Sequence, residues 1–250
     1  MRLLLHELKA QQRLFWRSRE LAFFTFALPL ILYVMLASMN QDDQISGVSG
    51  PDYLLAGMIG YGAAAIGFGG LSIVLVLRRE AGILKRLRAT PLPAWTYVAA
   101  LLVSILISFA IETLSLVALG VGLFDASTPD RVVSIAALVV LGAAAFAALG
   151  IAAAGLVRSA DAVSPAVNAI YLPMAFLSGS FFSPEAFPEF LQRIADVLPL
   201  TYYIELVRGV MVEGERIWDD PSALAIVTAW GVAGMLVAIR TFGWEPRERS

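Results

Sequence analysis

One acid, Glu112, stands in the middle of a long apolar run, Trp95 to Phe124. At that depth in a bilayer a carboxylate is costly unless it is paired, hydrated or protonated. Two roles are open for it. It is a polar contact or proton site in a pathway, or it is an acid hydrogen-bonded to a Ser, Thr or Tyr of a neighbouring helix. No second intramembrane acid or histidine stands near it in sequence, so Glu112 alone does not define a proton relay. Other chemistry lacks its parts. The chain has no cysteine, which excludes disulfides, thiolate zinc sites and thiol nucleophiles. Its one histidine, His6, cannot build a metal cluster. A phosphate-binding loop needs GxxxxGK[ST], yet Lys9 follows Leu8 and Lys85 follows Leu84. No Ser/His/Asp set and no HExxH is present. The expectation is a protein that is not itself an enzyme and binds no cofactor or metal.

Two charged stretches read as contact surfaces. The segment from Arg78 to Pro93 is short and dense in charge. Ile83, Leu84 and Leu87 fall along one side of a short helix, Lys85, Arg86 and Arg88 elsewhere, and Thr90-Pro91 stops the helix because proline restricts the residue before it and cannot continue the ladder. Such a unit fits a groove on a partner, although a plain topogenic loop also accounts for scattered basic residues. Near the N-terminus, Leu4, Leu5, Leu8, Phe15 and Trp16 lie near one helical face, and Lys9, Arg13 and Arg17 form a basic stripe at four-residue spacing. This predicts an interfacial helix with its arginines toward anionic headgroups; whether it only anchors the first span stays open.

The elements that hold these residues are membrane spans. Of the 250 residues 59% are hydrophobic and 15% charged, with a mean hydropathy of +0.77, against about 25% charged in a soluble domain. That is too little polar surface to coat a globule, and a net charge of -2 implies no nucleic-acid partner. A spanning helix needs about 20 apolar residues. Six segments fit: Leu21 to Met39, Leu54 to Leu77, Trp95 to Phe124, Val132 to Val157, Val163 to Phe182 and Leu224 to Phe242. The first is too long for a signal-peptide core and reads as a retained span. With both termini cytoplasmic, all basic residues fall on the inner side except Arg131, Arg193, Arg208 and Arg216, while Asp42, Asp43, Asp52, Asp219 and Asp220 fall outside. Small residues recur four apart in span two (Gly60/Ala64, Ala63/Gly67, Ala65/Gly69) and span four (Ala148/Ala152, Gly150/Ala154). Such stripes let helices approach closely, within the chain or between subunits.

Span five carries Pro165, Asn168 and Pro173 and ends in Ser178-Gly179-Ser180. Carbonyls freed by the prolines need partners from protein or water. Ser183-Pro184-Glu185 then reads as an N-cap with proline at the first helical position. Phe187, Phe190, Leu191, Ile194 and Leu198 recur at helical spacing up to Pro199. Thr201 is placed as the cap of another helix, with Tyr203, Leu206, Val207, Val210 and Met211 on one face. The fold expected is an all-α membrane protein: six transmembrane helices, a cytoplasmic N-terminal interfacial helix, and two short outer re-entrant helices between spans five and six. It forms one transmembrane domain over residues 1–250, with the interfacial helix at 1–20, a charged inner loop at 78–94 that fits a partner's groove, and short outer helices at 183–213 that cover the exit of a pathway.

In this order of parts the sequence resembles the permease subunit of ABC-2-type exporters over nearly its whole length. Glu80-Ala81-Gly82-Ile83-Leu84-Lys85-Arg86-Leu87-Arg88-Ala89-Thr90-Pro91-Leu92 is similar to the family's E-x-G-T-L-x-x-L-x-x-T-P-L pattern, with Ile83 where Thr or Ser is usual. Leu177-Ser178-Gly179, Phe182-Ser183-Pro184, Leu198-Pro199-Leu200-Thr201-Tyr202 and Arg208-Gly209 extend the likeness. The resemblance implies a homodimer, or a heterodimer with a similar chain, bound to two ATPase subunits that carry the ATP and magnesium. It implies that Glu80, Gly82, Leu84, Lys85, Leu87, Arg88, Thr90 and Pro91 form a coupling helix against the ATPase. It also implies pathway residues at Ser164, Asn168, Tyr171 and Ser178 beside Glu112, and an outer gate with Phe182, Pro184, Phe187, Pro199 and Tyr202.

The function expected is export of a hydrophobic or amphiphilic substrate, drug-like or lipid-like, across a bacterial cytoplasmic membrane on ATP hydrolysed by a separate subunit. A proton-coupled secondary transporter using Glu112 is the alternative, and the absence of inverted-repeat signals weighs against it. A scaffold without transport would leave the coupling-like loop unexplained.

Overall fold

The computed structural model describes residues 2–17, 23–90, 93–128 and 131–245. The chain is an all-α membrane protein. Helix α1 spans Arg2–Arg17. A π-helical turn, Phe23–Ala27, leads into α2, Leu28–Met39. A ribbon of two-residue strands, β1 Gln44–Ile45 and β2 Val48–Ser49, turns the chain into α3, Gly50–Glu80. After α4, Ile83–Arg88, come α5, Ala94–Phe124, α6, Val132–Leu156, and α7, Ala160–Leu177. A 3-10 turn, Pro184–Ala186, and the short helices α8, Glu189–Ala195, and α9, Pro199–Met211, precede α10, Pro221–Thr241.

Among the described residues α3, α5, α6, α7 and α10 are long and apolar enough to cross a membrane; the apolar stretch Thr25–Met39 is shorter. Residues 18–22, which include Arg19 and the start of the expected first span at Leu21, lie outside the description, as do Arg247 and Arg249. Large apolar side chains stay exposed along the spans, among them Ile31 and Met35 on α2, Val140 on α6, Ile170 on α7 and Ile239 on α10. A surface so apolar suits lipid contact.

Local chemistry sets the ends. The Ser49 hydroxyl oxygen accepts from the Asp52 amide at 3.3 Å and opens α3. The Asp220 carboxylate accepts from the amides of Ser222 and Ala223 and opens α10, leaving its carboxyl below the usual range, chiefly through the Ser222 side chain. Span five ends at Leu177, earlier than its apolar run suggests, because Gly179 turns the chain at a φ of +85°.

Helix α3 lies at the centre, buried on nearly all sides from Gly50 to Gly69. Its middle, Ala64–Gly70, is π-helical. The small-residue stripes meet here, inside one chain. A Cβ on Gly150 of α6 would overlap the Gly67 carbonyl, and one on Gly67 would lie 2.8 Å from Phe146 Cβ. The Ser72 hydroxyl reaches the Gly150 carbonyl at 2.9 Å. Gly231 and Gly234 of α10 pack on Ala145 and Leu149 of α6, where an added Cβ would lie 3.2 Å and 2.9 Å away. Backbone contact of this kind gains dispersion where no hydrophobic drive exists between helices.

Candidate functional site

The charged end of α3 is built around a buried arginine. Arg79 is 1% exposed. Its Nη1 and Nη2 donate to the carbonyls of Ala154 at 2.9 Å and Val157 at 2.7 Å, at the C-terminal end of α6. Its Nε donates to Glu80 Oε1 at 3.0 Å. A cation at the negative end of a helix dipole, satisfying carbonyls that lack intrahelical partners, is favourably placed. The sequence offered Arg78 and Arg79 as an undifferentiated pair. Only the helical phase separates them: Arg78 turns to α1 and α5, donating from Nη1 to Gln11 Oε1 at 2.7 Å and to the Tyr97 hydroxyl at 2.9 Å.

Gly82 then takes a φ of +70°, which only glycine adopts freely, and reverses the chain into α4. Leu84 is fully buried and Leu87 partly buried; Lys85, Arg86 and Arg88 are exposed. Ile83 departs from the expected apolar side and is exposed. The Thr90 hydroxyl donates to the Leu87 carbonyl at 2.6 Å and closes the helix. Pro91 and Leu92 lie outside the described residues. Of the residues singled out as a contact surface, Lys85, Arg88 and Thr90 are outward, Leu84 is inward, and Glu80 is engaged with Arg79.

The five pathway residues do not converge. Glu112 on α5 and Tyr171 and Ser178 at α7 are buried, whereas Ser164 and Asn168 occupy the opposite, exposed face of α7. Glu112 faces Gly62 of α3, where a Cβ would overlap the carboxylate. Both Glu112 oxygens lack a hydrogen-bond partner among the described residues. The expected bond to a Ser, Thr or Tyr is therefore not formed. Tyr61 of α3 packs its ring with its centroid 5.5 Å from that of Tyr171 and 5.4 Å from that of Phe181.

Ser178 to Phe181 lie at the opposite end of α3, against Gly57. A Cβ on Gly57 would overlap the Ser180 carbonyl, so the segment rests directly on the helix backbone. The Arg208 guanidinium of α9 sits 4.1 Å above the Tyr53 ring, a cation–π pairing. Tyr203, Leu206, Val207, Val210 and Met211 form the buried face of α9. The first short helix departs from expectation. The Ser183 hydroxyl oxygen accepts from the Glu185 amide, but this caps only the 3-10 turn begun by Pro184; Phe187 is extended and α8 starts two residues later. Phe190 and Ile194 point outward, as does Phe182. Pro199 both ends α8's segment and opens α9. Thr201 is no cap: it lies inside α9, its hydroxyl donating to the Ala195 carbonyl at 2.7 Å, while Tyr202 donates to the Asp196 carbonyl at 2.7 Å. These two bonds fix α8 to α9. Among the described residues no group of His, Asp and Glu is arranged to hold a metal.

Residues 2–212 match the family described as ABC-2 type transporter. A curated relative, Nodulation protein J of Neorhizobium galegae, is 32% identical over 110 residues. The alignment covers 44% of this chain and 42% of the relative, so the chain spans about two-fifths of that protein's length.

Proposed function

We propose a transport role from one premise: the chain belongs to the ABC-2 type transporter family. It is a multi-pass membrane protein and the membrane subunit of an ABC transporter. In our reading it exports a hydrophobic or amphiphilic substrate, drug-like or lipid-like, from the cytoplasm or inner leaflet of a bacterial cytoplasmic membrane. ATP and magnesium belong to two separate ATPase subunits, and this chain performs no catalysis. Both termini face the cytoplasm, and residues 1–250 act as one permease domain.

The observation that carries the reading is the outward cationic surface of α4 on a fixed base. Lys85, Arg86 and Arg88 are exposed, Leu84 is buried beneath them, and Arg79 ties the same segment to α6. A docked ATPase would press on α4 and move α3 and α6 with it. A second permease subunit, most simply an identical copy, is supported by α7: Asp161, Ser164 and Asn168 are exposed on a helix whose neighbours Ile170 and Leu172 suit lipid, and polar groups in a span need protein or water against them. The α8–α9 unit, with the Ser178–Phe181 plug, gates the outer exit.

The test is co-purification with the ATPase and ATPase assay in lipid nanodiscs. Lys85→Glu/Arg88→Glu is expected to lower ATPase retention and substrate-stimulated hydrolysis at least ten-fold while the permease stays folded. Full retention and stimulation would defeat the proposal. The unpartnered Glu112 favours a second reading, proton coupling. Under it, uncouplers stop transport without ATP and Glu112→Gln abolishes it; under ABC transport the uncoupler has no direct effect.

A further inference from the structure

Helix α1 does not close flat against the bundle. Between it, α3 and α5 lies a cleft of about 260 Å³. One end is polar. Gln11 is buried there, its Oε1 accepting from Arg78, while Ser104 and Ser108 line the α5 wall seven and eleven residues beyond Tyr97, which also binds Arg78. Along α3 the cleft extends from Arg78 past Val74 to Ile66, a length of about 18 Å at the helical rise per residue. Half the hydrocarbon core of a bilayer is ~15 Å. Away from its polar end the lining is dominated by aliphatic and aromatic side chains.

Arg78 forms no ion pair among the described residues, and only its Nη1 is engaged. The Glu7 carboxylate is one step removed, accepting from Gln11 Nε2 at 2.7 Å while Gln11 Oε1 accepts from Arg78. The guanidinium thus keeps donors for an anionic oxygen, the arrangement that makes charge-assisted bonds strong. Gln12, which donates to the Ser104 carbonyl at 2.9 Å and hydroxyl at 3.0 Å, holds α1 in place beside the cleft.

We propose that this cleft is a binding site for an amphiphile with one aliphatic chain and an anionic head, the head on Arg78 and the chain along α3 toward Ile66. Length selects one chain running through one leaflet. Charge selects an anion, as basic groups at a membrane surface do. The leaflet it opens to rests on the orientation proposed above; the ligand chemistry does not, and binding can be measured whether or not the chain transports.

The experiment is a titration of the full-length protein by native mass spectrometry with lysophosphatidylglycerol and, separately, lysophosphatidylcholine. One saturable molecule of the anionic lipid is expected, bound at least ten-fold tighter than the zwitterionic one. Arg78→Gln should erase that preference and Arg78→Lys keep most of it. Val74→Trp, which fills the cleft, should weaken both lipids about ten-fold, whereas Leu114→Trp on the exposed side of α5 should weaken neither. Amphiphiles extracted from wild type and Val74→Trp identify the source. Loss of a phospholipid marks a resident bilayer lipid and loss of another anionic amphiphile marks cargo; either supports the site. Unsaturable binding overturns it, as does equal binding in wild type and a folded Val74→Trp. Should that variant not fold, a lipid preference unchanged in Arg78→Gln overturns it.

Discussion

Replacing Arg79 by methionine should loosen the joint between α3 and α6 more than any other single change at that end of the bundle. The substitution keeps much of the side-chain volume and removes three interactions: those to the Ala154 and Val157 carbonyls and to Glu80. A hydrogen bond from a charged donor contributes about 1.5–3 kcal/mol net, and removing one member of a buried charged set costs about 3–5 kcal/mol. The buried Ala154 carbonyl and the part-buried Val157 carbonyl lose this donor, while methionine recovers some packing, so about 3 kcal/mol is expected by the same measure. For 150–250 residues, 1 kcal/mol shifts Tm by about 2–4 °C; Tm should fall by roughly 6–12 °C on that scale. Glu80→Gln loses only the ion pair at a partly exposed position and keeps an acceptor, so it should cost about 1 kcal/mol or less. The double variant should fall close to Arg79→Met alone, because Glu80 has then lost its partner. Thermal unfolding in detergent, followed by tryptophan fluorescence, checks all three. A Tm for Arg79→Met within about 2 °C of wild type, less than the shift for 1 kcal/mol, would refute the argument, as would additive single effects.

Gly62→Ala should destabilise by about 1–3 kcal/mol through overpacking against Glu112, and Glu112→Ala in the same chain should recover most of the loss; unfolding of the two singles and the double measures it. Since the chain has no cysteine, Lys85→Cys and Asp219→Cys give clean single sites: the first should react with an impermeant maleimide only from the cytoplasmic side, the second only from outside, and the reverse pattern would invert the topology. Asp220→Asn should keep the α10 cap, since asparagine caps as well as aspartate, and flatten the acid limb of stability. The Asp220 carboxyl sits below its ordinary value, so its stabilisation is present above the unfolded pKa and is lost as pH falls through the folded one; unfolding scans between neutral and strongly acid pH report the difference.

The long spans were legible because an uninterrupted apolar run leaves few alternatives to a helix in lipid. Span three, for instance, was expected from Trp95 and begins at Ala94. The π-helical middle of α3 was not legible: Ala64 to Gly70 has the composition of any close-packed helix, and the changed hydrogen bonding leaves no mark on residue type. Helical spacing placed Phe190 and Ile194 on one face of α8, and that spacing is present, but the face turns outward. Beside a membrane an apolar face has two favourable solvents, protein and lipid, and periodicity does not choose between them. The charged segment behaved likewise. Its amphipathic pattern was readable, yet the engagement of Glu80 by Arg79 depends on where α6 ends. The burial of Glu112 against Gly62 is a pairing between two spans that no local pattern reports.

The six residues of α4 are too few to hold a helix alone, since isolated helices below ~12–15 residues are marginal in water. Its shape must therefore come from what it is fastened to. Leu84 is sunk into the bundle and Gly82 sets the angle of departure from α3. Arg79, whose carbonyl accepts from the Gly82 amide, is locked to the end of α6. Deeper in, α3 and α6 meet backbone to backbone at Gly67 and Gly150, with Ser72 bridging them. A force on the exposed lysine and arginines of α4 thus meets no compliant element before it reaches both helices. At the far end the Ser178–Phe181 segment, turned by Gly179, rests on Gly57 without a helix of its own.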